Sequence, residues 1–165
     1  MSNLAKKHLL KIEPYKPGRP IDEVKRELGL KDVIKLASNE NALPPSHRVL
    51  SSIKRAAREL NRYPDGGCFY LKQDLAALSG LKPSNFIIGN GSDEVITFVI
   101  RTFVGQGEEV VISKPTFLVY GIVAKVEDVK VRFVPLKDYR YDLKAMERAI
   151  TPKTKVVFIL AHMKV

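Results

Sequence analysis

The sequence predicts an α/β fold of three layers, in which a mostly parallel sheet carries helices on both faces and follows an extended N-terminal arm. From Pro83 onward, short uninterrupted apolar segments alternate with segments whose apolar residues recur at helical spacing. Strands that are apolar on both faces are typical of parallel sheets covered by helices. Five prolines within residues 1–45 interrupt any long helix there. We therefore predict an arm over residues 1–45 and an α/β domain over residues 46–165.

The α/β part is predicted to contain four strands separated by three helices. The first of these helices begins near Ser92, and its apolar residues fall on one helical face before Gly105 and Gly107 end it. The others are identified by the same change from continuous to periodic hydrophobicity. The predicted strands are Phe86–Ile88, Glu109–Ile112, Val129–Val134 and Lys155–Leu160, and the predicted helices are Ser92–Phe103, Phe117–Val126 and Asp142–Ile150.

The residues before Pro83 are predicted to be mainly helical. A short helix over 21–28 ends at Gly29, and a short strand over 33–36 leads into a polar loop. Ser46 is a suitable N-cap for a helix that carries an apolar face as far as Leu60. A second helix follows the turn at 62–67, with Leu71, Leu75 and Leu78 at helical spacing.

Composition excludes several classes of protein. The 165 residues include a single cysteine, Cys68, and three histidines, so no internal disulfide framework is possible and a structural zinc site is disfavoured. No apolar run approaches the ~20 residues of a membrane span, and the first residues have no apolar signal core. These observations predict a cytoplasmic protein with no membrane partner and no bound metal.

The net charge of +10 is unevenly distributed. Residues 1–62 carry 14 basic and 7 acidic side chains, whereas residues 63–165 carry 14 and 11. A basic surface of this kind can attract nucleic acid or another anion. However, aromatic residues are not interleaved with the basic ones, as a platform for stacking single strands requires. We therefore predict a solvated basic surface and no nucleic-acid partner.

The segment 89–94, Gly-Asn-Gly-Ser-Asp-Glu, lies where a predicted strand ends and a helix begins. Free backbone N–H groups and the positive end of a helix favour an anion at such a turn. Gly91 allows close approach to the backbone, and the Ser92 hydroxyl can donate a further hydrogen bond. The alternative is a tight turn in which Ser92 caps the helix. A dinucleotide is disfavoured, because Glu94 replaces the third glycine of that fingerprint, and the Lys-Ser/Thr ending of a P-loop is absent.

Three further segments contain candidate site residues. Phe117 follows the next strand, at the sheet edge where ligands of open α/β sheets collect, and could lie against a flat ring. Taken alone, the segment favours the alternative in which Phe117 and Tyr120 are core aromatics. Tyr63 precedes Pro64, which holds it extended and can present its hydroxyl at a fixed place, although a surface turn explains the segment as well. Residues 37–41, Ala-Ser-Asn-Glu-Asn, form a polar loop that by itself indicates no function.

Five of these segments together resemble one family. IEPYKPGRP, LASNEN, RYPDGG, IIGNGSDEVI and VVISKPTFLVYG occur in the order and spacing of the histidinol-phosphate aminotransferases, which are fold-type I enzymes dependent on pyridoxal 5′-phosphate. The resemblance covers about residues 10–160 and implies part of the aminotransferase large domain, in a homodimer. It implies that Gly91, Ser92 and Asp93 hold the cofactor phosphate and that Phe117 stacks on its ring. It further implies that Tyr63 reaches the partner's cofactor phosphate, and that Tyr15, Asn39 and Asn41 line the substrate side.

The family reaction transfers an amino group between L-histidinol phosphate and 2-oxoglutarate, in histidine biosynthesis. Two departures from the family pattern are visible. Ala42–Pro45 replace the usual Pro-x-Gly, and no lysine stands in the context of the one that binds the cofactor covalently. We therefore expect the N-terminal part of such an enzyme, from a truncated or frameshifted gene or as a fragment, and inactive alone. The alternatives are a decarboxylase or aromatic-amino-acid aminotransferase of the same fold, or a non-catalytic remnant.

Overall fold

The computed structural model describes residues 4, 6–15, 17–38 and 40–160. The chain forms two compact units, one of residues 16–86 and the other of residues 1–15 together with 87–165. The smaller contains helices α1 (Ile21–Leu28), α2 (His47–Ala56) and α3 (Phe69–Ser79). The larger contains α4 (Gly91–Phe103), β1 (Glu109–Lys114), α5 (Leu118–Val126), β2 (Lys130–Pro135), α6 (Leu143–Arg148) and β3 (Thr154–Phe158). Single 3₁₀ turns occur at Leu9–Lys11, Ala57–Glu59 and Pro83–Asn85.

The helices of the unit 16–86 begin and end at local signals. Gly29 ends α1 in the left-handed conformation, with φ +64°. The Ser46 hydroxyl accepts the Val49 N–H at the start of α2, as predicted. Among the described residues of this unit only Ala76 is buried. The helices of this unit are therefore stabilised by capping and by helix propensity more than by packing on a hydrophobic core.

Two of the predicted strands do not form. Residues 33–36 and 86–88 belong to no helix or strand, and Ile34, Leu36 and Ile87 are 88%, 93% and 70% exposed. A strand is defined by hydrogen bonds to a neighbour, and neither segment has a neighbouring strand in the described chain. Apolar character alone was therefore not sufficient to form these strands.

The other three predicted strands form one parallel sheet of order β2-β1-β3. The central strand β1 is the most deeply buried, and Val110, Val111 and Ile112 are all 0% exposed. Val110 and Ile112 face one side, where Ile100 of α4 and Ala124 of α5 complete a core. The side chain of Val111 faces the other side and packs with Met146 of α6. Helices therefore cover both faces of the sheet, which confirms the predicted three-layer α/β/α arrangement.

A buried carboxylate joins the three strands near the amino end of β1. Glu109 is 1% exposed, and its Oε1 accepts hydrogen bonds from Arg132 Nε at 2.5 Å and from the Thr151 hydroxyl at 2.6 Å. The Thr154 hydroxyl donates at 3.2 Å, and Lys130 Nζ lies 3.8 Å from Oε2. These hydrogen bonds, that from Thr151 above all, lower the pKa of Glu109 from 4.5 to about 2. The carboxylate therefore stays ionised although it is buried.

Candidate active site

Helix α4 begins at Gly91, one residue before the predicted start. Gly91 has φ +73°, a conformation that favours glycine, and its N–H donates to the Gly89 carbonyl at 2.9 Å. The Asn90 N–H donates to Glu94 Oε2 at 2.6 Å, which turns that carboxylate back toward the loop. No side chain caps the helix. The alternative in which Ser92 is the cap is therefore wrong, because Ser92 lies inside the first turn.

This helix start fits an anionic group such as a phosphate. The N–H groups of Ser92 and Asp93 have no partner within the helix, since the first turn of any α-helix leaves them free. Residues 91–93 are exposed, and a Cβ on Gly91 would meet no atom within 4 Å. The positive end of the helix dipole points into that open space. The Asp93 carboxylate would repel a phosphate, so the useful donors are backbone N–H groups and the Ser92 hydroxyl.

A cavity of about 320 Å³ opens beside the carboxyl end of β1. Its walls include Tyr15 from the N-terminal segment, Phe117 at the start of α5, and Phe133 from β2. Two lysines, Lys114 and Lys125, also line it. The volume is near the lower end of the ~300–1,000 Å³ usual for small-molecule sites. The structure thus brings together Tyr15 and Phe117, which the sequence places 102 positions apart.

The ring of Phe117 is held by other aromatic side chains. Tyr120 meets it edge-on at a centroid distance of 5.8 Å, and Phe158 stacks on Tyr120 at 4.5 Å. Burial raises the pKa of the Tyr120 hydroxyl, so this side chain is neutral at physiological pH. Lys114 Nζ lies 5.5 Å from the centroid of Phe133, which is within cation–π distance. Phe117 therefore packs against the core as well as lining the cavity.

The start of α4 lies toward the carboxyl end of β1, which is the end of the sheet where this cavity opens. A short loop joins the end of α4 to the amino end of β1, and Ile96 and Ile100 pack on Val110 and Ile112. A helix joined and packed in this way runs antiparallel to the strand. Its 13 residues span roughly 20 Å. Gly91 and Ser92 therefore lie toward the carboxyl end of β1, although they are not part of the cavity wall.

The remaining predicted site residues belong to the unit 16–86. Tyr63 is fully exposed, at 101% of its reference area. The Asn41 side chain is engaged locally, since its Oδ1 accepts the Leu43 N–H at 2.9 Å. Nearby, Glu40 pairs with Lys35 at 2.8 Å. Asn39 lies outside the described residues.

The cavity wall also contains Phe133 and Thr116, which were not among the predicted site residues. Phe133 lies in the predicted strand over Val129–Val134, and it is 45% exposed although apolar. The sequence carries no signal for this role, because Phe133 is one of several apolar residues in the strand and its exposure is a property of the fold. Within the described residues, no group of three or more His, Cys, Asp or Glu side chains is arranged to hold a metal ion. The described helices include none long and apolar enough to cross a membrane.

A family model described as aminotransferase class I and II matches residues 31–161. The chain belongs to this aminotransferase family. Histidinol-phosphate aminotransferase from Moorella thermoacetica is 49% identical over 151 residues, covering 92% of this chain and 39% of the relative. Histidinol-phosphate aminotransferase 2 from Carboxydothermus hydrogenoformans is 42% identical, covering 94% and 43%. The chain therefore spans about two-fifths of the length of the curated aminotransferases that it matches.

Solved structures agree on the fold. The structure of histidinol-phosphate aminotransferase from Sinorhizobium meliloti, in complex with pyridoxal-5′-phosphate, matches with a TM-score of 0.77 and 26% identity. That match covers 89% of this chain and 39% of the other. Aspartate aminotransferase from Thermotoga maritima, at 20% identity, matches with a TM-score of 0.75 over 93% of this chain and 44% of the other. The resemblance read from the five sequence motifs is confirmed, and so is the partial α/β fold.

Proposed function

We propose that this chain forms part of an aminotransferase of the histidinol-phosphate type. It supplies the phosphate-binding site at residues 91–93 and the aromatic face, Phe117, on which the cofactor ring stacks. The proposed reaction of the whole enzyme converts L-histidinol phosphate and 2-oxoglutarate to imidazole-acetol phosphate and glutamate. The observation that carries the proposal is the cavity beside β1, in which Phe117 and Tyr15 meet. The exposed start of α4 on the same side of the sheet supports it, because a phosphorylated cofactor needs both a flat contact and an anion site.

Each candidate site residue of the larger unit has a distinct proposed role. Pyridoxal 5′-phosphate, when bound, supplies the electron sink that stabilises a carbanion on the substrate. Gly91 leaves room for the phosphate, while Ser92 and Asp93 donate backbone N–H groups to it, and the Ser92 hydroxyl adds one more donor. Phe117 provides the face on which the ring stacks and excludes water from that side. Tyr15, which also lines the cavity, is assigned to the substrate side.

The residues of the other unit are proposed to act between subunits or on the substrate. Tyr63 is fully exposed, as expected of a side chain whose contacts lie on another subunit. We place it against the partner's cofactor phosphate in a homodimer. Asn39 and Asn41 are assigned to the substrate side of the same site. The assembled enzyme is proposed to work in the cytoplasm on small-molecule amines and 2-oxo acids, without nucleic acid or membrane.

The 165-residue chain alone is proposed to bind the cofactor without turning over. None of its 18 lysines matches the family's covalent cofactor lysine. Lys114 lines the cavity with its Nζ over the Phe133 ring, but it does not match the position of the family's cofactor lysine. A bound cofactor would therefore be held by its phosphate and ring, without a covalent bond.

Binding by the purified chain, followed by quenching of tyrosine fluorescence, tests this proposal. Pyridoxal 5′-phosphate should bind more tightly than pyridoxal, which has no phosphate. Ser92→Ala should weaken binding by roughly 10- to 100-fold, the usual effect of removing one hydrogen bond to a charged group. Phe117→Leu should weaken it by about 2- to 10-fold through lost stacking. Phe103→Leu, at the far end of α4 and 62% exposed, is the matched control and should bind normally.

Three results would contradict the proposal. Equal affinity for pyridoxal and pyridoxal 5′-phosphate would show that residues 91–93 do not bind the phosphate. A stoichiometric, borohydride-reducible adduct at one lysine, together with turnover of histidinol phosphate, would show that the chain alone is catalytic. Retention on DNA at moderate salt, with no response to pyridoxal 5′-phosphate, would instead support a non-catalytic remnant with a basic surface.

A further inference from the structure

One histidine fastens the N-terminal segment, residues 6–12, to the end of α5. His8 Nε2 lies 3.1 Å from the Val126 carbonyl oxygen, and Nδ1 lies 3.9 Å from Asp128 Oδ1. The His8 side chain is 26% exposed, so these contacts are partly shielded from water. They line a cleft of about 450 Å³ between the segment and the α5 terminus.

The two contacts have different requirements for a proton. The carbonyl of Val126 only accepts, so Nε2 must carry a hydrogen. A neutral imidazole then has a lone pair on Nδ1, directed toward the Asp128 carboxylate. A protonated imidazole donates from both nitrogens and also places a positive charge at the negative end of the α5 dipole. Protonation therefore improves both contacts at once.

The charged groups around His8 do not all act in the same direction. Lys7 and Lys11 of the segment and Lys125 of α5 line the same cleft and oppose a further positive charge. Asp128 favours it, with the helix terminus. The neighbouring Glu127 is engaged by Arg101 at 2.8 Å, so it contributes less to His8. The two direct contacts set the expected sign, because only a protonated ring donates from both nitrogens, to the Val126 carbonyl and toward the Asp128 carboxylate.

The segment held by His8 leads directly into the wall of the candidate active site. The 3₁₀ turn Leu9–Lys11 follows His8, with Lys11 N–H donating to the His8 carbonyl at 3.3 Å and Ile12 N–H to the Leu9 carbonyl at 3.1 Å. Ile12 lines both the His8 cleft and the cavity that contains Tyr15 and Phe117. Release of His8 would therefore free the wall formed by residues 12–15.

We propose that His8 is a pH-dependent latch, which when protonated holds residues 9–15 against the larger unit and so keeps one wall of the cavity in place. Its meaning for catalysis rests on the proposed function, whereas the latch itself does not. Imidazoles change charge between about pH 5 and 8, so the wall is held more firmly at pH 5.5 than at pH 8.

Amide hydrogen exchange of the full chain, without any cofactor, tests the latch. After correction for intrinsic exchange rates, protection of the peptide covering residues 9–15 should fall by roughly three- to tenfold between pH 5.5 and 8. In His8→Gln, whose amide can still donate to Val126 but cannot be charged, that pH dependence should disappear. In Asp128→Asn it should decrease. His47→Gln, on α2 of the other unit, is the control and should keep it.

Protection that does not change with pH in the unmodified chain would overturn the latch, and so would a pH dependence that survives in His8→Gln. Both His8 and Asp128 are at the surface, so the variants should fold, and the exchange of β1 amides in the same experiment reports whether they do. Because no cofactor is present, failure of the proposed cofactor binding leaves this result unaffected.

Discussion

Replacing Gly91 with alanine tests the way in which α4 begins. At φ +73°, an L-residue costs roughly 1–2 kcal/mol relative to the right-handed helical region. A Cβ there would meet no atom within 4 Å, so no steric clash is added. Alanine recovers about 0.4–1 kcal/mol by lowering the entropy of the unfolded chain. The free energy of unfolding should therefore decrease by about 1 kcal/mol.

Gly121 provides a matched control in the same unit. It lies inside α5, and a Cβ there would come within 3.6 Å of the Phe133 ring, an ordinary van der Waals contact. Alanine is favoured over glycine in a helix interior by about 0.5–1 kcal/mol. Gly121→Ala should therefore stabilise the protein, so the same chemical change has opposite signs at the two positions.

Urea unfolding followed by far-ultraviolet circular dichroism measures both effects. For a chain of this size, 1 kcal/mol corresponds to about 2–4 °C in melting temperature. The reasoning is refuted if Gly91→Ala is as stable as the unmodified chain while Gly121→Ala is stabilised as expected. That outcome would mean that residue 91 does not need the left-handed conformation and that the helix begins at Ser92.

Two other predictions concern the sheet. Ile100→Ala should lower the free energy of unfolding by about 2–5 kcal/mol, because this side chain is 0% exposed between α4 and the sheet. Leu143→Ala, at a side chain that is 59% exposed, should change the free energy of unfolding by less than about 0.5 kcal/mol. Chemical denaturation of the two variants and the unmodified chain measures both effects. Glu109→Gln should destabilise the protein most above pH 4.5, because the pKa of Glu109 in the folded protein, about 2, lies below its ordinary value of 4.5. The difference in unfolding free energy between the variant and the unmodified chain should shrink as pH falls from 4.5 through 2. Unfolding measured at several pH values checks this, and Glu147→Gln, on the exposed surface of α6, should show no comparable trend.

Helix boundaries were largely predictable because their signals are local. Gly29 ends α1, Ser46 caps α2 and Asp142 caps α6, each within four residues of the helix that it limits. Such signals act through hydrogen bonds and backbone angles of neighbouring residues. The start of α4 was misplaced by one residue, because the conformation of Gly91 depends on the turn that precedes it.

Strands were less predictable because they depend on distant partners. The apolar segments 33–36 and 86–88 resemble strands as strongly as 109–112 does, yet only the last has neighbours on both sides. The burial and hydrogen bonding of Glu109 were likewise not predictable from the sequence. A glutamate at the start of an apolar strand suggests a solvated end, and only the approach of Arg132, Thr151 and Thr154 makes it a buried, ionised junction.

The sequence by itself determined the family and the α/β alternation and predicted an anion site at the α4 start, because these depend on ordered motifs, hydrophobic periodicity and a glycine at one turn. Only the tertiary structure decided that Tyr15 and Phe117 share a cavity and that His8 contacts the end of α5. These residues are separated by more than 100 positions, and contacts over such distances follow from the packing of the whole unit. No local propensity encodes them.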